Sequence, residues 1–307
     1  MRGTVALTGG VMLAFVLLIG CAKPLYIRTE DRSSYFDAQA RQTGYTKRAA
    51  IALNSGAPTQ LGPRAETLLL QALTEAIRNS KSGIALAAPQ DPDYPVFMKI
   101  YRPITGREAF SATQTARRQG YHYLVQAALE NILVNEEKRG IWWFRKTRYY
   151  LTVVVALDVY DTFTGAKIIG EVREQTEKID PDSYASFLGG AASDIAAVDA
   201  LIARVAGSMG KQASRAIKSG KWICSVTEVQ NLQITLAPGL SSGVRVGDRF
   251  DIYEGRRIVD GSEGEKFIAP GYKVAEVLIT AVDEISARAS FKGPSDIQAG
   301  DIAVPSK

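Results

Sequence analysis

One histidine and two cysteines serve the whole 307-residue chain. A single imidazole, His122, excludes a His-based triad and any multi-histidine metal site. It stands between Tyr121 and Tyr123 in an alternating stretch and reads as a structural strand residue. A phosphate-gripping loop is also missing, because Gly189-Gly190 lacks the Lys-Ser/Thr that would bind phosphates. The carboxylates Asp158 and Asp161 flank a turn, where such groups cap backbone amides. We therefore expect no catalytic residue, no metal, no cofactor and no enzyme. Charge of one sign is scarce too: the net value of +5 shows no basic stripe, and nucleic acid is not an expected partner. The apolar run at residues 11–19 is shorter than the roughly 20 residues that span a bilayer.

That short run is nonetheless informative. Arg2 supplies a thin positive region, no charge follows until Lys23, and the run ends in Leu18-Ile19-Gly20-Cys21. This segment resembles the lipobox of bacterial lipoproteins. The resemblance implies removal of a 1–20 signal peptide, a diacylglycerol on the Cys21 sulfur and an acyl chain (palmitate type) on its amine. Ala22 after the cysteine then implies the outer membrane, with the body on its periplasmic face. Cys224 would be the one cysteine left, so no internal disulfide can form. Inside an alternating strand it reads as a small buried apolar residue. The mature chain of 287 residues would carry a net charge of +4.

Residues 21–44 are polar and read as a tether. A buried strand is expected at 47–53, and a helix from Pro63 through Leu69, Ala72, Leu73, Ala76 and Ile77 to Asn79. A second strand follows at 84–88, closed by Pro89, Pro92 and Pro95, and a second helix at 107–119. Alternation then predicts two long strands, 121–129 and 149–159, joined as a hairpin, and a third at 166–176 after a turn ending in Gly165. A long amphipathic helix starts at Ser193, which can cap its free amides, and stops at Gly220. From Trp222 onward about five short strands punctuated by glycine are expected. The fold class is α+β: a mixed α/β sandwich-type domain with a long β-hairpin at 45–220, then a small SH3-like or OB-like all-β barrel at 221–307.

The connection between the two long strands carries the clearest binding signal. Lys138, Arg139, Arg145, Lys146 and Arg148 surround Trp142, Trp143 and Phe144. Aromatic and basic side chains together suit a protein partner or a membrane interface. The competing reading has the aromatics covering one end of the sheet. Residues 261–266 form a second, weaker candidate, an exposed loop between two strands.

Two further resemblances concern the body. The element order, with Tyr-Asp-Thr-Phe-Thr-Gly-Ala-Lys at 160–167, looks like the periplasmic α/β domain shared by the TolB N-terminal region and the curli-secretion lipoprotein. Residues 240–253 with Gly300-Asp301 are similar to the C-terminal domain of flagellar assembly protein T. These resemblances imply a non-catalytic outer-membrane lipoprotein that acts as a structural or assembly subunit of an envelope complex, which the second resemblance associates with a flagellar ring. Its expected partners are outer-membrane lipid through acylated Cys21, envelope proteins and further copies of itself. An alternative is a regulator that binds a periplasmic enzyme such as a peptidoglycan synthase. Third comes a curli-type export pore, which needs two membrane-crossing hairpins where one is legible.

Overall fold

The computed structural model describes residues 35, 44–54, 62–80, 83–100, 104, 106–190, 196–262, 264–293 and 295–306. Cys21, the 1–20 segment, the tether apart from residues 35 and 44, and Ser193 lie outside the described residues. Ser33–Lys307 forms one compact unit.

From β1 (Lys47–Asn54) the chain crosses through α1 (Gly62–Arg78) to β2 (Ile84–Ala87). It returns through the single turn α2 (Phe97–Ile100) and through α3 (Gly106–Arg118) to β3 (Tyr123–Arg139). Both β2 and β3 pair in parallel with β1, one on each edge. The two crossovers run in opposite directions along the sheet, so right-handed connections place α1 and α3 on opposite faces. Ala49, Ile51 and Leu53 pack with Leu69, Leu73 and Ile77 of α1, while Ala50 and Ala52 pack with Ala109, Ala112 and Ala116 of α3. A strand covered on both faces has no use for polar alternation, which is why β1 reads as an unbroken apolar run.

β3 continues into an antiparallel hairpin with β4 (Lys146–Asp161), and β5 (Lys167–Ile179) completes a mixed sheet of order β2-β1-β3-β4-β5. The β3–β4 ladder slips by one residue between Leu129 and Asn131. This bulge moves the core-facing positions from Val125, Ala127 and Leu129 to Ile132 and Val134, so the apolar alternation changes phase there. Between β5 and the long amphipathic helix lies α4 (Pro181–Leu188), an element not read from the sequence. Asp180 caps it, its carboxylate accepting from the Asp182 amide at 2.9 Å and the Ser183 amide at 2.8 Å, and Pro181 suits the first turn. α5 (Ala196–Ser219) then lies along α1. The two helices meet at Gly210, where a Cβ would sit 2.6 Å from the Ala76 Cβ.

β6 (Cys224–Gln230), β7 (Gln233–Ala237) and β8 (Arg249–Tyr253) are followed by a short antiparallel ribbon, β9 (Ile258–Asp260) and β10 (Lys266–Ile268). β11 (Lys273–Val282), β12 (Ala287–Phe291) and β13 (Ile302–Pro305) complete a closed antiparallel barrel of order β11-β12-β7-β6-β13-β8. The expected five strands are thus six, with the ribbon in addition; three-residue strands are too short to show a period. Two Gly-Asp pairs build like turns. Gly247 and Gly300 take positive φ, and the Asp248 and Asp301 carboxylates each accept, at 2.8 Å, from the amide three residues earlier.

Arg117, in the last turn of α3, joins the sheet layer to the barrel. Its Nε donates to Ser225 Oγ at 3.1 Å, and its terminal nitrogens donate to the carbonyls of Phe163, Gly255 and Gly300. Burial pushes its pKa down to about 10, opposed by the nearby Asp161 and Asp301, so the guanidinium remains charged at neutral pH. Alongside, the Trp222 indole stacks on Tyr45 at 4.5 Å and donates to the Thr46 carbonyl at 3.0 Å. Lys47 closes the C-terminal end of α5 by donating to the carbonyls of Ile217, Lys218 and Gly220, where a cation also meets the negative end of the helix dipole.

His122 lies just before β3, buried, its ring against Phe163 and Trp222. Nδ1 accepts from the Arg48 amide at 3.1 Å. Burial, and then the charges of Lys47 and Arg48, push its pKa down to about 3.

Two predictions follow from this junction. Arg117→Ala should cost about 3–5 kcal/mol in chemical denaturation, because carbonyls of both layers lose their donor together. Arg117→Lys should restore only part of that, an ammonium being unable to fork between Ser225 and three carbonyls. A loss below about 1 kcal/mol for Arg117→Ala would show the junction held by packing alone. For His122, the unfolded chain binds more protons than the folded one between pH 6.5 and about 3. Its contribution is full above pH 6.5 and disappears as pH falls through that window, on the order of 5 kcal/mol in all. The lone imidazole resonance should therefore keep its neutral position from pH 7 to about 4.5. A midpoint near 6.5 in the folded protein would refute the assignment.

Candidate functional site

The site is the end of the β3–β4 hairpin. β5 accompanies β4 only as far as the pair Tyr149–Ile179. Beyond it the pairs Glu137–Arg148, Lys138–Thr147 and Arg139–Lys146 continue as a two-stranded ribbon. The base of this ribbon is braced by α4, whose Tyr184 ring lies 4.4 Å from that of Tyr149.

The turn itself is tightly specified. Gly140 has φ +122°, and a Cβ there would lie 2.4 Å from the Phe144 carbonyl oxygen, so no other residue fits. A 3₁₀ turn over Trp142–Phe144 is closed by the Phe144 amide donating to the Ile141 carbonyl at 3.0 Å. Trp142 has φ +50°, a left-handed conformation that is strained for a bulky residue.

This backbone presents its apolar side chains to solvent. Ile141 is 82% exposed, Trp142 70%, Trp143 78% and Phe144 76%. The two indoles meet edge to face with ring centroids 4.7 Å apart, and no residue of the turn is buried. The reading in which these aromatics cover one end of the sheet is corrected: the ribbon carries them past the last core residues, Ile132 and Leu151.

Behind the aromatics lie the cations. Lys138 pairs with Glu136 at 3.0 Å and Arg139 with Glu137 at 2.5 Å. The Arg139 contact, first by its hydrogen bond and also by its charge, holds the Glu137 carboxyl below its ordinary value. Arg145, Lys146 and Arg148 make no ion pair among the described residues. All the residues read from sequence as one contact surface are thus brought together. Cys21, the expected lipidation site, lies outside the described residues.

The other sequence candidates have structural partners. The Asp161 carboxylate accepts from the Phe163 amide at 2.9 Å and Thr164 Oγ1 at 3.0 Å, as expected of a turn cap, and burial raises its pKa. Asp158 pairs with Lys167 at 2.8 Å. Cys224 is buried in the barrel and its thiol is pushed up by that burial. Residues 261–266 join β9 to β10, and the Ile268 amide donates to the Thr164 carbonyl at 2.8 Å, so this ribbon straps the barrel to the sheet turn. A cavity of about 290 Å³ lies nearby, lined in part by Tyr35, His122, Tyr123, Asp161 and Lys221. Among the described residues no helix is long and apolar enough to cross a membrane.

No family model matches the chain, and no curated protein does. Among solved structures, the protein CT253 of Chlamydia trachomatis is similar at 9% identity and TM-score 0.37, over 57% of this chain and 99% of that one. A minor lipoprotein from Acinetobacter baumannii is similar at 14% identity and TM-score 0.29, over 55% and 93%. The PelC dodecamer from Paraburkholderia phytofirmans gives 16% identity and TM-score 0.29, over 59% and 94%. Likenesses this distant say nothing of what this chain does.

Because the tip aromatics are uncovered, Trp142→Ala with Trp143→Ala should change unfolding free energy by less than about 0.5 kcal/mol. Trp142→Gly should raise it by about 1 kcal/mol through relief of the left-handed backbone. Denaturation that shows a loss above about 2 kcal/mol for the double variant would mean that these rings are packed.

Proposed function

We propose that this chain is a lipid-anchored bacterial envelope protein that works by contact rather than by turnover, as a structural or assembly subunit. The observation that carries the reading is the hairpin tip. Four consecutive large apolar side chains are held in water by a strained turn, and an exposed apolar cluster kept in place this way marks a surface meant to be covered. The anchor rests on Leu18-Ile19-Gly20-Cys21, and placement on the periplasmic face of the outer membrane rests on Ala22. Acyl chains at about 0.8 kcal/mol per buried CH₂ make such attachment stable. The assembly role rests on the resemblances carried by residues 160–167 and by residues 240–253 with Gly300-Asp301. Self-association belongs to the same proposal.

Two measurements test it. Radiolabelled palmitate should enter the wild-type chain and not Cys21→Ser; equal labelling removes the anchor. Native mass of the detergent-extracted protein should show a multimer, and a monomer removes self-association.

A further inference from the structure

The tip is a narrow end rather than a flat face. Two strands about 5 Å apart carry it, and its apolar side chains project from the end of the ribbon rather than from the face of a sheet. Its charge is of one sign: residues 136–148 hold five cations and two carboxylates, net +3. Glu136 and Glu137 pair with Lys138 and Arg139, and Glu137 also faces Arg148 across the ribbon, so two carboxylates balance three of the five cations and Arg145 and Lys146 make no ion pair among the described residues. Three of the four apolar residues are aromatic, and two are tryptophan, the side chain that settles at the headgroup level of bilayers.

We infer that the tip seats in the interface of an anionic lipid bilayer. Ile141, Trp142, Trp143 and Phe144 enter the boundary between headgroups and acyl chains, and Arg145, Lys146 and Arg148 meet lipid phosphates. The inference deepens the contact reading given above and rests on it for the presence of a membrane, but it does not require Cys21 to be acylated. The ribbon is too short to cross the bilayer and attaches as a wedge in one leaflet. The rigid turn suits this role, because its side chains are already displayed and lose little freedom on insertion.

The chain contains three tryptophans, and the third, Trp222, is fully buried in the body. Tryptophan emission of the full chain on phosphatidylglycerol vesicles therefore reports the tip against an internal reference. With bromine on the lipid acyl chains, the wild-type emission should shift to the blue and lose most of its tip component. The variant Trp142→Phe with Trp143→Phe, which leaves Trp222 alone, should keep its emission. Replacing Arg145, Lys146 and Arg148 by Gln should reduce quenching to the level found on neutral phosphatidylcholine. Quenching by dissolved acrylamide but not by brominated lipid places the tip in water and overturns the inference. Protection from both quenchers means that protein covers the tip, a second copy included, and overturns it equally. Intact mass reports acylation separately, so failure of the anchor and failure of the wedge are told apart.

Discussion

A guanidinium withdrawn from water where a helix end, a sheet turn and two barrel loops converge costs several kcal/mol unless its donors are met. Arg117 meets that condition with one hydroxyl and three carbonyls drawn from both layers. None of those carbonyls belongs to a neighbouring residue in sequence, so the charge is satisfied only when α3, the β4–β5 turn and the barrel are in place together. Trp222 and Lys47 add to the same seam from the opposite direction, one through Thr46 and the other through the end of α5. The barrel and the sheet layer therefore form a single body, and His122, sealed inside that seam, is held neutral by its surroundings.

The same sheet that is locked at one end is free at the other. α3 covers only the β1 and β3 side of its face, while β4 and β5 run on with α1, α4 and α5 on the opposite face. Past the last core pairs the ribbon has backbone pairing but no covering layer, and there the apolar residues of the chain become exposed. A left-handed tryptophan is tolerated at that place because Gly140, the 3₁₀ turn and the β3–β4 register leave it no other course.

Much of this was legible in the residues, for definite reasons. The two long strands and α5 have periods long enough to read, β1 shows as an unbroken apolar run, and Gly165 and the Gly-Asp pairs mark turns that only a few residue types can make. The tip was legible as a cluster, but whether its aromatics covered the sheet or faced solvent depended on where Ile132 and Leu151 end the core, which is a matter of register. The bulge at Leu129 hides that register, because a one-residue slip reverses every side chain beyond it. The cap Asp180-Pro181 marks the start of α4, but a helix of 8 residues is too short to show a clear period. Arg117 and Lys47 gave no sign at all. A cation in the last turn of a helix ordinarily serves the helix dipole in water, and its burial arises only from the barrel, more than a hundred residues later.

On the proposed reading, the acyl chains and the tip divide the labour between residence and orientation. Lipid on Cys21 would suffice to hold the chain at the membrane, so the wedge is not needed for attachment. Acyl chains alone, however, do not fix the direction of the body they hold. β3 begins beside the Arg117 junction and ends at the tip, 17 residues that span about 55 Å when extended. Because the strand is continuous and paired with β4 over its whole length, seating the tip in a leaflet would set the direction of the sheet. The barrel, fixed to the far end by Arg117, would then stand about 50 Å from the lipid. A subunit that must meet its neighbours at a set height and angle needs a rigid second foothold of this kind. That requirement accounts together for an exposed aromatic turn at one end of β3 and a buried arginine at the other.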